Sequence, residues 1–214
     1  MKRRQFSVQL AATSLGLPFL NTAQAQAVPT EGTEYQKLRN QVPVTPPAGK
    51  VEVVEFFSYA CPHCADFEPA LEAWAKRLPP EIYFRRIPVS FLPNAANFQA
   101  LYYALEEMRL IDTLQMKVFR AVHQEGQRLA TPDEIGAFMA KNGVDAAKFM
   151  ATFNSFGVKT KVTRGTQLVN AYMVESVPLL AVQGRFQTSP ALAKGAEGAL
   201  RVTNYLVQQV RSGK

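Results

Sequence analysis

Cysteine is nearly missing from this chain. Its 214 residues hold two, Cys61 and Cys64. A disulfide framework that staples a small secreted fold uses several cysteines at wide spacing. Two cysteines three positions apart close a very small loop, and loop-closure stabilisation grows with loop length, so a bridge between them does little for the fold. Histidine is as scarce, with only His63 and His123. A structural zinc site takes about four cysteine or histidine ligands. His63 lies between the two cysteines and cannot readily join them on one ion, and there is no second Cys-x-x-Cys. No metal is expected, and His123 is expected to be an ordinary surface or packing residue.

Other absences narrow the class further. No block of Lys and Arg with interleaved aromatics occurs, so the net charge of +7 reads as a solvated basic surface rather than a nucleic-acid footprint. No repeat of 20 to 50 residues is visible. No apolar run reaches the roughly 20 residues that span a bilayer. The first 27 residues come nearest, with a basic "MKRR", a mostly apolar stretch to Leu20 and then "NTAQAQA". Gln9, Thr13, Ser14 and Pro18 interrupt the run. That order is a secretory signal peptide with cleavage after Ala25 or Ala27; "RRQF" also admits a twin-arginine signal. Cleavage would remove Lys2, Arg3 and Arg4 and no acid, leaving a charge of +4 (7 − 3). No cysteine stands near the cleavage site to carry a lipid.

What is present begins at "VEVVEFF" (51–57), β-branched and aromatic, an expected strand. Residues 28–50 read as an extended, Pro-rich lead-in. After Cys61 the period changes: Phe67, Ala70, Leu71, Trp74 and Leu78 fall at helical spacing, and Pro79-Pro80 stops that helix. "IYFRRIPVSF" (82–91) reads as a second strand, with Pro88 at a sheet edge or at the strand's end. Residues 94–174 look helical throughout, with Phe98, Leu101, Tyr102, Leu105 and Met108 in one stripe. Thr131, Pro132 and Glu134 form a capping box. Asp145 caps a further helix that carries Phe149, Phe153 and Phe156, all expected in the core. Strand signals return at 177–188, with Gly184 in a hairpin turn, and a last helix is expected from Ala191 to about Val210, buried along Leu192, Ala196, Ala199, Leu206 and Val210. The sum is an α/β layer domain interrupted by helices.

The cysteines fall at a strand-to-helix junction, where Cys-x-x-Cys reads as a redox pair. Cys61 is expected at or near the helix N-cap, where unpaired backbone N–H groups favour an anion. A thiolate there is stabilised, and its pKa falls. Pro62 fixes the first helical position, and His63 in the first turn adds charge or a hydrogen bond. Cys64, one turn in, is expected to be less exposed and less acidic, the resolving thiol. Stabilising the reduced thiolate makes the disulfide a stronger oxidant.

The stretch "VVEFFSYACPHCADFEP", the helical insertion and the late "SVPLLAVQGRF" together resemble the DsbA family of thiol:disulfide oxidoreductases. The likeness runs from about Tyr35 to the C-terminal helix. It implies a thioredoxin fold with an inserted all-helical domain: residues 28–92 and 175–214 form the thioredoxin-like part, and residues 93–174 the insertion. It implies Cys61 as nucleophile and Cys64 as its buried partner. Val177 and Pro178 match the family's Val–cis-Pro pair, which packs on the disulfide and offers backbone to substrates. Glu55 matches the family's buried acid, a candidate proton acceptor for Cys64; a surface glutamate at a strand edge is the alternative. Glu68 and Arg86 match an acid/base pair, where the family usually has lysine for Arg86; a plain surface ion pair is the alternative. Leu71 and Phe91 match hydrophobic groove residues, and core packing explains them nearly as well. Ser176 stands where some members have glycine or threonine.

The resemblance therefore implies an exported, periplasmic, monomeric oxidase with no cofactor beyond the Cys61–Cys64 disulfide. It would oxidise newly secreted proteins and be reoxidised by a quinone-linked membrane partner, DsbB. A disulfide reductase or isomerase shares the chemistry, but residues 28–50 are too few for the dimerisation domain such isomerases carry. A glutathione-dependent transferase on a related fold, or a binding module or chaperone using the groove, are rivals of other classes.

Overall fold

The computed structural model describes residues 28–213; the expected leader lies outside them. In chain order the elements are β1 (Gln36–Lys37), β2 (Val51–Phe57), α1 (Pro62–Ala75), β3 (Ile82–Pro88), α2 (Ala95–Glu107), α3 (Ile111–His123), α4 (Pro132–Lys141), α5 (Ala146–Phe153), α6 (Phe156–Ala171), β4 (Leu179–Val182), β5 (Phe186–Thr188) and α7 (Ala196–Arg211).

The sheet runs β1-β5-β4-β2-β3. β2 pairs in parallel with β3 and antiparallel with β4. Parallel partners need a crossover, and α1 supplies it. Every residue of β2 is buried, as a strand covered on both faces must be, so it shows no polar alternation. β3 is the outer strand and ends at Pro88, where a missing ladder donor costs least. On one face Val51 and Val53 pack with Phe67, Leu71 and Trp74 of α1 and Val202 and Leu206 of α7. On the other, Val54 and Phe56 pack with Val169 of α6 and Tyr172. The α/β class is the one the sequence implied.

Helices α2 to α6 build a second core around Leu101, Leu105, Val118, Ile135, Met139 and Phe149. Phe57, Tyr59, Cys61 and Cys64 belong to that same cluster. The junction that carries the cysteines thus lies on the seam between sheet and helices. The expected caps are present: Thr131 and Glu134 form a capping box, and Asp145 accepts from the Lys148 N–H.

Four local expectations need correction. The lead-in is not wholly extended: Gln36 and Lys37 pair with β5, and their polarity hid a strand that lies at the sheet edge. Phe156 is not in α5 and not in the core. Ser155 starts a new helix by accepting from the Val158 N–H, which leaves Phe156 85% exposed on its first turn. The last helix begins at Ala196, not Ala191, because Lys194 and Gly195 take positive φ and so cannot be helical; Leu192 lies before it. α1 ends at Ala75, ahead of Pro79-Pro80, with the Lys76 N–H bonded back to Glu72. Gly184 does sit in the hairpin turn, with φ +62° beside Gln183 at +50°. A side chain there would also strike the Val42 carbonyl.

Candidate redox site

β2 delivers the chain to Ser58, which ties the turn: the Ala60 N–H donates to Ser58 Oγ at 3.1 Å, and the Cys61 N–H to the Ser58 carbonyl at 3.1 Å. Cys61 is the N-cap of α1, with extended dihedrals and Pro62 following at the first helical position. No side chain caps this helix end, so its free N–H groups face the Cys61 sulfur. The two thiols are unbonded and buried. Cys61 is 7% exposed and Cys64 0%.

Their acidities diverge. Cys61 is lowered to about 6. The Cys64 thiol, donating to it, is the largest cause; the backbone N–H groups of Cys64 and His63 and the charge of His63 add to it, against desolvation. Cys64 is raised instead, first by burial, then because it gives its proton to the Cys61 hydrogen bond, then by the charge of Glu55. One sulfur is built to be a thiolate at neutral pH and the other to hold its proton.

The Val177-Pro178 peptide is cis, and the Cys61 thiol donates to the Val177 carbonyl at 3.5 Å. Beside this contact lies a groove of about 460 Å³, lined by His63, Asp66, Phe67, Ser176, Val177, Pro178 and the 189–191 segment with Ala196. Its walls are mostly apolar.

Beneath the cysteines is a cluster of charge. Glu55 on β2 and Arg86 on β3 are register partners, and Arg86 Nε lies 2.9 Å from Glu55 Oε2. Arg86 Nη2 reaches Glu68 at 2.9 Å and Glu72 at 3.3 Å. Glu55 and Glu68 are 0% exposed and Arg86 7%, so neither a strand-edge glutamate nor a surface ion pair describes them. Burial pushes Glu55 up to about 7 and Glu68 to about 8, against the pull of Arg86. One guanidinium in so dry a place does not offset the burial of both Glu55 and Glu68, so both favour their protonated forms more than a free carboxyl does.

Two expected groove residues are elsewhere. Leu71 is 0% exposed in the core between α1, the sheet and α7, because helical spacing from Phe67 turns it inward. Phe91 is 44% exposed beyond β3 and is not in the groove lining. His123 does more than pack, since its Nε2 lies 2.8 Å from the Tyr59 carbonyl. Sequence reasoning missed Glu72, Tyr59, Gln115 and the 189–191 segment. Glu72 alone had a signal, standing one helical turn after Glu68. Among the described residues no group of three or more His, Cys, Asp or Glu could hold a metal.

A family model, the DSBA-like thioredoxin domain, matches residues 52–205. The thiol:disulfide interchange protein DsbA of Bordetella pertussis is 40% identical over 212 residues, covering 99% of this chain and 100% of that one. Its counterpart in Pseudomonas aeruginosa is 38% identical over 212 residues, covering 99% and 98%. The crystal structure of Pseudomonas aeruginosa DsbA superposes with a TM-score of 0.82 over 86% of this chain and 95% of that chain. The oxidoreductase DsbA from Xylella fastidiosa gives 0.79 at 31% identity, covering 87% and 100%.

Proposed function

The chain belongs to the DsbA-like thioredoxin family, and from that footing we propose how its residues carry out disulfide donation. It is a thiol:disulfide oxidoreductase that acts on protein substrates. Oxidised Cys61–Cys64 is the reagent. A substrate thiolate attacks the Cys61 sulfur; the substrate–Cys61 bond forms as the Cys61–Cys64 bond breaks. Cys64 leaves with the electron pair and takes a proton, for which Glu55 is the nearby donor. The substrate's second thiolate then attacks its own sulfur in the mixed disulfide and expels Cys61 as a thiolate. Two electrons have passed from the substrate dithiol to the Cys61/Cys64 pair. In reoxidation Glu55 takes the Cys64 proton back.

The observation that carries the direction is the divergence of the two thiols. A leaving group that is stable as an anion leaves readily, and a stabilised reduced form makes the disulfide oxidising. His63 and the N-cap position support Cys61; Glu68 and Arg86 set the charge around Glu55. The Val177 carbonyl and the apolar groove are the platform for substrate backbone and flanking side chains, with Ser176 at its rim.

We place the protein in the periplasm, on the leader-like residues 1–27, and assign its reoxidation to a DsbB-like quinone-linked membrane oxidase. It acts as a monomer and needs no cofactor beyond its own disulfide. Equilibration with a redox buffer tests the direction. DsbA itself stands at about −120 mV and thioredoxin at about −270 mV. A potential near the first is expected; one near the second would overturn the donor role in favour of a reductase.

A further inference from the structure

One residue beside the cysteines is gripped from the helical block at three points. Tyr59 is fully buried and stands two positions before Cys61. Its hydroxyl donates to Gln115 Oε1. Its ring meets Phe119 edge-on at 5.0 Å between centroids. Its carbonyl, which can only accept, accepts a hydrogen bond from His123 Nε2–H at 2.8 Å. Positions 115, 119 and 123 recur every four residues, so one face of α3 supplies all three grips.

Gln115 has a second end. Its Nε2 is buried without an acceptor, and Glu68 Oε2 is buried without a donor. The two side chains lie close enough that Gln115 opposes the upward push of burial on the Glu68 carboxyl. An amide has both a donor and an acceptor end; here the acceptor is spent on Tyr59 and the buried donor is left over.

We propose that Gln115 is a positioning residue of the redox centre, whose amide spans Tyr59 and Glu68 and so couples the helical block to the charge of the acid cluster beneath Cys64. The coupling rests on the reading of that cluster as the proton store of Cys64. The groups that face Glu68 are Arg86 from β3, Glu55 from β2, Glu72 from its own helix, Gln115 from α3 and the Tyr59 phenol. Of these only Arg86 and Gln115 favour its ionised form. Tyr59 fixes which way the amide points, because a hydroxyl bound to Oε1 leaves Nε2 for the carboxylate.

The test is a carboxyl titration of the reduced protein labelled with ¹³C at the glutamate side-chain carboxyls, which needs no enzymatic assay. In the unaltered protein two carboxyls titrate late, near 7 and 8. In Gln115→Leu the later one moves up by roughly half a pH unit, as for the loss of a nearby amide dipole that makes no full hydrogen bond to the carboxylate. Tyr59→Phe keeps the ring and releases the amide, and moves it the same way by less. Variants that melt earlier while Glu68 titrates as before would overturn the proposal, since packing alone would then explain the contacts. Should Gln115→Leu not fold, an unmoved Glu68 titration in Tyr59→Phe overturns it alone. Donor activity lost with these titrations intact would count against the function, not against this coupling.

Discussion

The Cys61 sulfur lies 3.5 Å from the Val177 carbonyl, 116 positions away in the chain. As a thiol, Cys61 donates to that oxygen. As a thiolate it has nothing to donate, and its remaining partners are the Cys64 thiol and the N–H groups of the helix start. Ionisation, like disulfide formation, therefore takes away the donor that the Val177 carbonyl has in the thiol form. The reduced protein is expected to show one ultraviolet thiolate transition near pH 6, absent in Cys61→Ser, and no transition for Cys64 below the range where the protein unfolds. A first transition near the free-thiol value of about 8.5 would remove the mechanism.

His63 contributes to Cys61 through its N–H and its charge. His63→Ser keeps the first and removes the second. The Cys61 transition should rise by about one pH unit, as for the loss of a nearby partly solvated opposite charge, and the disulfide should become a weaker oxidant by a comparable factor. Redox equilibration against glutathione measures it. An unchanged potential would mean that the helix start alone holds the thiolate.

Arg86 stands at the centre of three carboxylates. Arg86→Met leaves two buried acids without their cation, a change that costs about 3–5 kcal/mol. Glu55 and Glu68 already have raised pKa values in the folded state. Such groups contribute stability that is full below their unfolded value near 4.5 and lost as pH rises through about 7 to 8. Without Arg86 they rise further, so the cost should be small at pH 5, clear by pH 8 and still growing above it. Arg86→Lys should fall between, because one ammonium cannot reproduce a fork that bonds Glu55 through Nε and Glu68 through Nη2. Urea titrations at the two pH values decide; an equal loss at both would place the effect in packing rather than charge.

The sequence was most legible where local pattern and chemistry coincide. β2 reads from its β-branched run, α1 from its period, and the cysteine junction from both. It was least legible where partners come from distant elements. Phe67 and Leu71 carry the same helical signal, and nothing in that signal says that Phe67 also borders the groove while Leu71 lies wholly in the core. Gln115 and Tyr59 look like any polar and aromatic residue near apolar neighbours; their meaning lies in a contact between positions 56 apart. Val42 and Gly184 likewise touch across the chain. The edge strand β1 is two polar residues held by backbone pairing and by one side-chain hydrogen bond from Gln187 to Gln36, and backbone pairing leaves no compositional trace.

The groove beside Pro178 can be tested apart from the thiols. Ala191 is exposed on its wall, away from both sulfurs in sequence and outside α7. Ala191→Arg should fill apolar space and slow oxidation of a cysteine peptide with apolar flanks by about tenfold, the equivalent of 1.4 kcal/mol. Reaction with a small dithiol, which needs no groove, should change far less. Equal slowing of both would show that the substitution disturbs the cysteines themselves and that the groove is not the peptide platform.

The last expectation links redox state to stability. Cys61 titrates only when reduced. Its folded pKa is depressed to about 6 from 9.0. A depressed acid contributes stability that is fully present above its unfolded value and lost as pH falls through the folded one. The reduced form should therefore gain on the oxidised form as pH climbs from about 6 to about 9, and hold no such gain at pH 5. Glu55 and Glu68 work the other way in both redox states, so their share largely cancels in the difference between reduced and oxidised melts. Paired melting curves at pH 5 and pH 8.5 read that difference directly. Cys61→Ser forms no Cys61–Cys64 disulfide and no thiolate at position 61, so its own melts should lack the Cys61 gain that the reduced protein shows between pH 5 and pH 8.5. If the reduced protein shows no gain at the higher pH, the driving force for disulfide donation does not reside in the Cys61 thiolate.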